Sequence, residues 1–337
     1  MDSNLTKPPE HFFENILDRI FLLRIFMHYP FQGILLLGGY YGWLSLQNSE
    51  NLSIWEKFFK VNHFNLPLLT SFVLFYLMMG GTYILNQIVD RETDKINRKN
   101  FFIADGHISV NSAIIQMFLV YGTTLGAVLI LSWYKWFPGG MLYFSFFLVS
   151  LFMGICYSLP PIRLSARPGL DMLANAVGYG FLNFTIGYLS LTGWSWNIVV
   201  ISIPLTLIGL AGFGATTIAD IPGDIEEGKK TIGVMLGEKK TYYLSIFLFI
   251  LAAAISLVID NYILLTASLI PIPFQIWGLL TRGTKAALVT MRISNAPLVL
   301  ISFIIFPLYF MGFIAVGILT KIYYKKRFNI NYPALTT

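Results

Sequence analysis

The sequence predicts an all-α, polytopic membrane bundle of about nine transmembrane helices. Three observations lead there. Hydrophobic residues make up 56% of the 337 positions and charged residues only 12%, where soluble domains carry roughly 25% charged residues. Mean hydropathy is +0.67. Apolar runs of membrane-crossing length, roughly 20 residues each, recur along the whole chain.

The elements follow in order. Pro8 and Pro9 suit a first helical turn, and Phe12, Phe13, Ile16, Leu17, Ile20 and Leu23 recur at helical spacing against Glu14, Asp18 and Arg19. This predicts an interfacial amphipathic helix over residues 1–29 leading into the first crossing. Nine spans are then expected, at Pro30–Leu46, Pro67–Ile88, Ala113–Trp133, Met141–Leu159, Leu170–Leu191, Ile198–Ala219, Tyr242–Val258, Ile263–Leu280 and Leu298–Leu319. They form one membrane domain over residues 30–321, followed by a tail over 322–337. The only formal charge inside the spans is Asp171, at the edge of the fifth.

Most of the 23 Lys and Arg fall in connections on one side of such a topology, including Arg91, Lys95, Arg98 and Lys99 after the second span. The positive-inside rule places that side, with the N-terminus, in the cytoplasm. The basic tail (Lys321, Lys325, Lys326 and Arg327) is the one feature against this, and a merged helix would move it across. The net charge of +6 is explained by juxtamembrane loops and anionic headgroups, not by nucleic-acid binding. The single cysteine, Cys156, lies in an apolar span and allows no intramolecular disulfide. No cleavable signal peptide is expected, because the first residues are polar and acidic.

Two polar ladders carry the chemistry. Asn86, Asp90 and Asp94 end the second span at i, i+4, i+8 spacing, which keeps them on one helical face. Asp220 and Asp224 end the sixth in the same way. Either pair alone reads as a solvated helix end. Two pairs facing each other would repel strongly near a membrane unless cations neutralised them. Mg²⁺ takes oxygen ligands and typically joins one or two carboxylates to a substrate phosphate, so the implied ligand is a diphosphate.

Basic and hydroxyl groups lie beside the ladders. Pro160 and Pro161 stiffen the exit from the fourth span, between Tyr157 and Arg163; Arg163 suits a planar phosphate contact, and Tyr157 suits a phosphate oxygen or a developing cation. Lys229 and Lys230 follow the second ladder, in a connection expected to begin at Asp220. Arg24, just before the first crossing, reads either as a positive-inside anchor or as a phosphate contact. Asn175 and Asn183 in the fifth span are candidates for a central chamber, with a hydrogen bond joining helices as the other reading for Asn183. Phe101, Phe102 and Ile103 read either as a lid over the first ladder or as an interfacial anchor.

These residues resemble the UbiA superfamily of intramembrane prenyltransferases. The resemblance rests on Asn86-x-x-x-Asp90-x-x-x-Asp94, on Tyr157-Ser-Leu-Pro-Pro-Ile-Arg163, and on Asp220-x-x-x-Asp224 followed by Gly228 and Thr231. It implies a helical chamber with cytoplasmic cap loops, in which two Mg²⁺ bridge Asn86, Asp90, Asp94, Asp220 and Asp224 to a polyprenyl diphosphate. Arg163, Tyr157 and Lys229 or Lys230 would then be further diphosphate contacts, and Asp94 a candidate proton acceptor. Two departures are Gln87 where the family often has Asp, and a following loop, Asn97-Arg98-Lys99-Asn100-Phe101, that reaches Gly106 without proline. The expected partners are a polyprenyl diphosphate, a hydrophobic acceptor and membrane lipids. The alternatives are terpene cyclisation, prenyl transfer to a sugar phosphate, and ion-coupled transport.

Overall fold

The computed structural model describes residues 12–47, 65–96, 101–226 and 228–331, and every regular element among them is helical. In chain order they are α1 (Phe12–Leu22), α2 (Ile25–His28), α3 (Gly33–Leu46), α4 (Leu66–Val89), α5 (Arg91–Ile96), α6 (Phe101–Ala104), α7 (Val110–Trp133), α8 (Gly140–Ser158) and α9 (Leu170–Ala176). A π-helical turn, Val177–Asn183, joins α9 to α10 (Phe184–Leu189). There follow α11 (Trp196–Glu226), α12 (Ile232–Val258), α13 (Tyr262–Leu269), α14 (Pro271–Thr281), α15 (Thr284–Ile305) and α16 (Pro307–Phe328). Pro8, Pro9, Lys57, Lys60, Arg98 and Lys99 lie outside the described residues.

Among the described residues, eight helices are long and apolar enough to cross a membrane, with α13 and α14 acting as one, and the pair Ile16–His28 and Pro30–Leu46, bent by 54°, supplies a ninth span. The α9–π–α10 stretch, whose pieces are each shorter than a crossing and stand outside that count, lies between α8 and α11 where the fifth span is expected. Large apolar side chains such as Phe118, Leu119, Phe152 and Val258 point outward. In lipid this outer surface is as well solvated as the interior, so the helices are held by close packing and polar contacts instead.

The tightest contact joins α3 to α10. A Cβ on Gly187 would stand 1.8 Å from the carbonyl oxygen of Leu35, and one on Gly38 would stand 2.0 Å from that of Phe184. Only glycine lets these two backbones approach so closely.

Three expectations need correction. The expected last span, Leu298–Leu319, straddles two helices, because the chain breaks at Phe306 and restarts with Pro307 at the first position of α16. The extra reversal carries Lys321, Lys325, Lys326 and Arg327, expected in or near a tail across the membrane, back to the side of the Asp ladders. There Arg327 pairs with Asp18, Nη2 to Oδ2 at 3.1 Å, and Phe102 of the connection after α4 packs on Tyr323 and Tyr324.

The second correction concerns α1. Helical spacing puts Asp18 on the polar face of an interfacial helix, yet it is 1% exposed, enclosed by Arg327 and by a hydrogen bond from Tyr323, while Phe21 stacks on Tyr323 at 3.8 Å. α1 is therefore docked on α16 through a buried ion pair. Ile16, Leu17 and Ile20 remain exposed. Third, the residues after Asp220 are not a loop. α11 continues through Pro222 to Glu226, so Asp220 and Asp224 are successive turns of one helix.

Candidate active site

α4 and α11 run in the same direction and bring their C-terminal turns to one cavity of about 470 Å³. Asn86 and Asp90 line it from α4, Asp220 and Asp224 from α11, Tyr157 and Ser158 from α8, and Asp171 and Asn175 from α9; Arg163, Lys229 and Thr231 complete the polar wall. Phe31, Met79, Tyr83, Tyr179 and Phe213 supply apolar and aromatic surface.

α4 ends at Val89, and Asp90 caps it at φ −92°, ψ 9° while its N–H still bonds the Asn86 carbonyl. Asp90 is gripped through both oxygens. Asn86 Nδ2 donates to Oδ2 at 2.8 Å, and Arg163 Nη2 donates to Oδ1 at 2.7 Å. Arg163 reaches it because α8 stops at Ser158 before Pro160 and Pro161, and Arg163 itself adopts the left-handed region at φ 35°, which is uncommon for a residue with a Cβ. On the opposite side, Thr231 at the N-cap of α12 donates its hydroxyl to Asp224 Oδ2 at 2.7 Å.

Tyr157 accepts a hydrogen bond from Asn175 Nδ2 at 3.1 Å, and the same amide donates to the Asp171 carbonyl at 2.9 Å. Since the phenol oxygen accepts there, its own proton remains for another acceptor. The π-helical turn widens the α9–α10 stretch where Gly178, Tyr179 and Asn183 meet the cavity, and π-bulges of this kind frequently mark functional sites. Several buried wall atoms have no hydrogen-bond partner: Arg163 Nε, Ser158 Oγ, Asn183 Nδ2 and both carboxylate oxygens of Asp171. A protein seldom leaves such groups unpaired unless a ligand or water meets them.

The structure thus brings together Asn86, Asp90, Asp220, Asp224, Tyr157, Arg163, Asn175 and Lys229. Three expected site residues are not on the cavity wall. Asp94 lies one turn beyond Asp90 in α5, its N–H bonded to the Asp90 carbonyl, and is buried away from the wall. Lys230 is exposed outside it. Arg24 is next to it, with its guanidinium 5.3 Å from the ring centre of the wall residue Tyr83. Phe102 and Ile103 are buried against the bundle and are not on the cavity wall; the Phe101 side chain lies outside the described residues.

Asn183 faces the cavity, so a role confined to joining helices does not describe it. Asp171 was passed over as a site residue although its signal was present: an ionisable side chain within a membrane span is a functional candidate by default.

The donor set tests the fit of a divalent cation. Asn86, Asp90, Asp220 and Asp224 offer only hard oxygen donors, which suit Mg²⁺. Among the described residues no three His, Cys, Asp or Glu side chains converge into a metal cage. A cation here therefore needs oxygens from a ligand, as Mg²⁺ does when it bridges carboxylates to phosphate.

Comparison with known proteins agrees with this geometry. The model of the UbiA prenyltransferase family matches residues 58–295. The 2-acylphloroglucinol 4-prenyltransferase of Humulus lupulus is 30% identical over 207 residues, 58% of this chain and 49% of that protein. The digeranylgeranylglyceryl phosphate synthase of Sulfolobus acidocaldarius is 29% identical over 183 residues, 54% of this chain and 60% of that one. The chain spans about half the length of the plant relatives it matches.

Among solved structures, a UbiA homolog from Archaeoglobus fulgidus bound to GPP and Mg²⁺ superposes with a TM-score of 0.60 at 17% identity, covering 86% of this chain and 99% of that one. A homolog from Aeropyrum pernix K1 gives 0.55 at 16% identity, covering 86% and 98%. These two show a shared fold.

Proposed function

The chain belongs to the UbiA prenyltransferase family, and from that premise we propose that it is a membrane-embedded, Mg²⁺-dependent enzyme that moves a polyprenyl group from its diphosphate to a lipophilic or aromatic acceptor. One observation carries the reading. Two oxygen-donor pairs on separate helices, Asn86 with Asp90 and Asp220 with Asp224, line one cavity beside Arg163 and Lys229. The Archaeoglobus homolog with GPP and Mg²⁺ bound supports it.

Asn86, Asp90, Asp220 and Asp224 would hold the metal, two ions on this reading, and Asp94 would join them only if α5 turned toward the cavity. Bound Mg²⁺ supplies charge stabilisation for the departing diphosphate. Arg163 and Lys229 hold the remaining diphosphate oxygens by charge-assisted hydrogen bonds, with Arg24 and Lys230 as outlying cations. Arg163 also fixes Asp90, so that the site is arranged before the reaction begins. As the allylic C–O bond loosens, Tyr157 donates to the leaving oxygen. Tyr83, Tyr179, Phe31 and Phe213 present aromatic faces to the developing carbocation and exclude water.

The ladders, the basic connections and α16's basic end lie on one face, which the positive-inside rule assigns to the cytoplasm. Wild type is tested with geranylgeranyl diphosphate, Mg²⁺ and a membrane lipid extract, beside Asp90→Ala and Asp220→Ala. Diphosphate release that needs the metal, the extract and both aspartates supports prenyl transfer, and mass spectrometry of the product names the acceptor. Release with a cyclic product in the absence of extract indicates a cyclase. A prenylated sugar phosphate indicates the third reading, and ion flux in proteoliposomes without any product overturns prenyl transfer.

A further inference from the structure

We propose that Asp171 is a catalytic residue that binds a hydroxyl group of the acceptor and takes its proton. This rests on the prenyl-transfer reading above. Asp90 and Asp224, which line the same cavity, are each held by protein donors: Asn86 and Arg163 on the first, Thr231 on the second. Asp171 is different. It is 5% exposed, it lines the cavity, and neither carboxylate oxygen closes a hydrogen bond. The backbone N–H groups of Met172, Ile232, Gly169 and Asp171 itself face the carboxylate and act on it as weak hydrogen-bond donors, none of them in full hydrogen-bond geometry, and no side chain donates to it.

Burying an unpaired carboxylate is strongly unfavourable unless something in the working state meets it. The chemistry of the reactants selects that partner. A diphosphate is excluded by like charge, and the polyprenyl tail carries no polar hydrogen. The metal is already provided for, on the prenyl-transfer reading, by Asn86, Asp90, Asp220 and Asp224 elsewhere on the wall. A neutral O–H donor remains, and in prenyl transfer that group belongs to the acceptor.

The surroundings suit it. Asn175, one turn along α9, ties the Asp171 carbonyl to Tyr157, so the acceptor's hydroxyl and the leaving diphosphate are handled at neighbouring points of one wall. Ser158 Oγ, also unpartnered there, offers a second contact.

In the step, the acceptor's nucleophilic atom forms its bond to C1 of the prenyl group. The C1–O bond breaks with its electron pair departing on the diphosphate, and the hydroxyl proton passes to Asp171. Where the nucleophile is a phenol's ring carbon, the resulting dienone regains its aromatic ring by moving the ring proton to oxygen.

The near-isosteric Asp171→Asn variant tests this against wild type with two readouts: Mg²⁺-dependent binding of geranylgeranyl thiodiphosphate, and product formed from geranylgeranyl diphosphate with membrane lipid extract. The expected result is thiodiphosphate binding and donor KM within about twofold of wild type, with kcat lower by at least about 100-fold, the scale of general-base catalysis. A product rate within about threefold of wild type overturns the proposal. So does a loss of thiodiphosphate binding of tenfold or more, which would make Asp171 part of the metal or diphosphate site or of the fold. Wild type that binds the thiodiphosphate but makes no product defeats prenyl transfer itself, and Asp171's role with it, whereas an active wild type with an unaffected variant defeats only the role of Asp171.

Discussion

Arg163 Nη2 lies 2.7 Å from Asp90 Oδ1, bridging the turn after α8 to the end of α4. The bridge sets the guanidinium beside the first ladder while its Nε stays unpartnered at the cavity wall. Hydrogen bonds to charged groups are worth about 1.5–3 kcal/mol. Arg163→Ala is therefore expected to weaken Mg²⁺-dependent thiodiphosphate binding by about 10- to 100-fold, measured by titration calorimetry. Arg163→Lys is expected to recover little, because an ammonium cannot hold Asp90 and a diphosphate oxygen in one planar fork.

The Asp18–Arg327 pair predicts a stability effect far from the cavity. Both side chains are almost wholly buried, so Arg327→Ala leaves the Asp18 carboxylate without a counter-charge, held by Tyr323 alone, and is expected to cost about 3–5 kcal/mol. Thermal unfolding in detergent measures it. The triple variant Asp18→Leu, Arg327→Met and Tyr323→Phe should recover most of the loss, since apolar side chains of similar volume replace a buried ion pair with little penalty once the Tyr323 hydroxyl that bonds Asp18 is removed too.

Gly187 makes the second stability prediction. Gly187→Ala drives a methyl into the Leu35 carbonyl, 1.8 Å from the new Cβ, and must push α3 off α10. A loss of about 3 kcal/mol or more is expected, at the upper end of overpacking effects. Gly122→Ala is the control. Nothing lies within 4 Å of its Cβ, and the variant should match wild type.

Topology can be read with single cysteines, because Cys156 is the only native one and is buried. In a Cys156→Ser background, Asp105→Cys and Lys326→Cys should react with an impermeant maleimide from the same side of the membrane, and Lys135→Cys from the other. Labelling of Lys326→Cys from the Lys135 side would contradict the added reversal at Pro307.

Much of the site was legible because it is local. Asn86 with Asp90, and Asp220 with Asp224, are one helical turn apart, and helical periodicity alone puts each pair on one face. Tyr157 and Arg163 flank two prolines that must end a helix. Asp94 is the exception: the ladder assumes an unbroken helical face, whereas α4 ends at Val89, Asp90 leaves helical φ/ψ, and Asp94 is not on the cavity wall. Asp171 was visible as a lone charge in a span, but its meaning depends on what surrounds it.

By itself the sequence determined that this chain is a membrane-spanning helical bundle and that carboxylate pairs end two of its helices, since both follow from apolar length and short-range spacing. Only the tertiary structure decided that the two pairs share a cavity, that Asp171 is buried there without a side-chain partner, and that Asp18 meets Arg327 across 309 positions. It also decided the split at Pro307. A hydropathy window sums apolar residues and passes over a one-residue break, and the identity of a charge's partner is set by how distant helices pack, which local spacing does not encode.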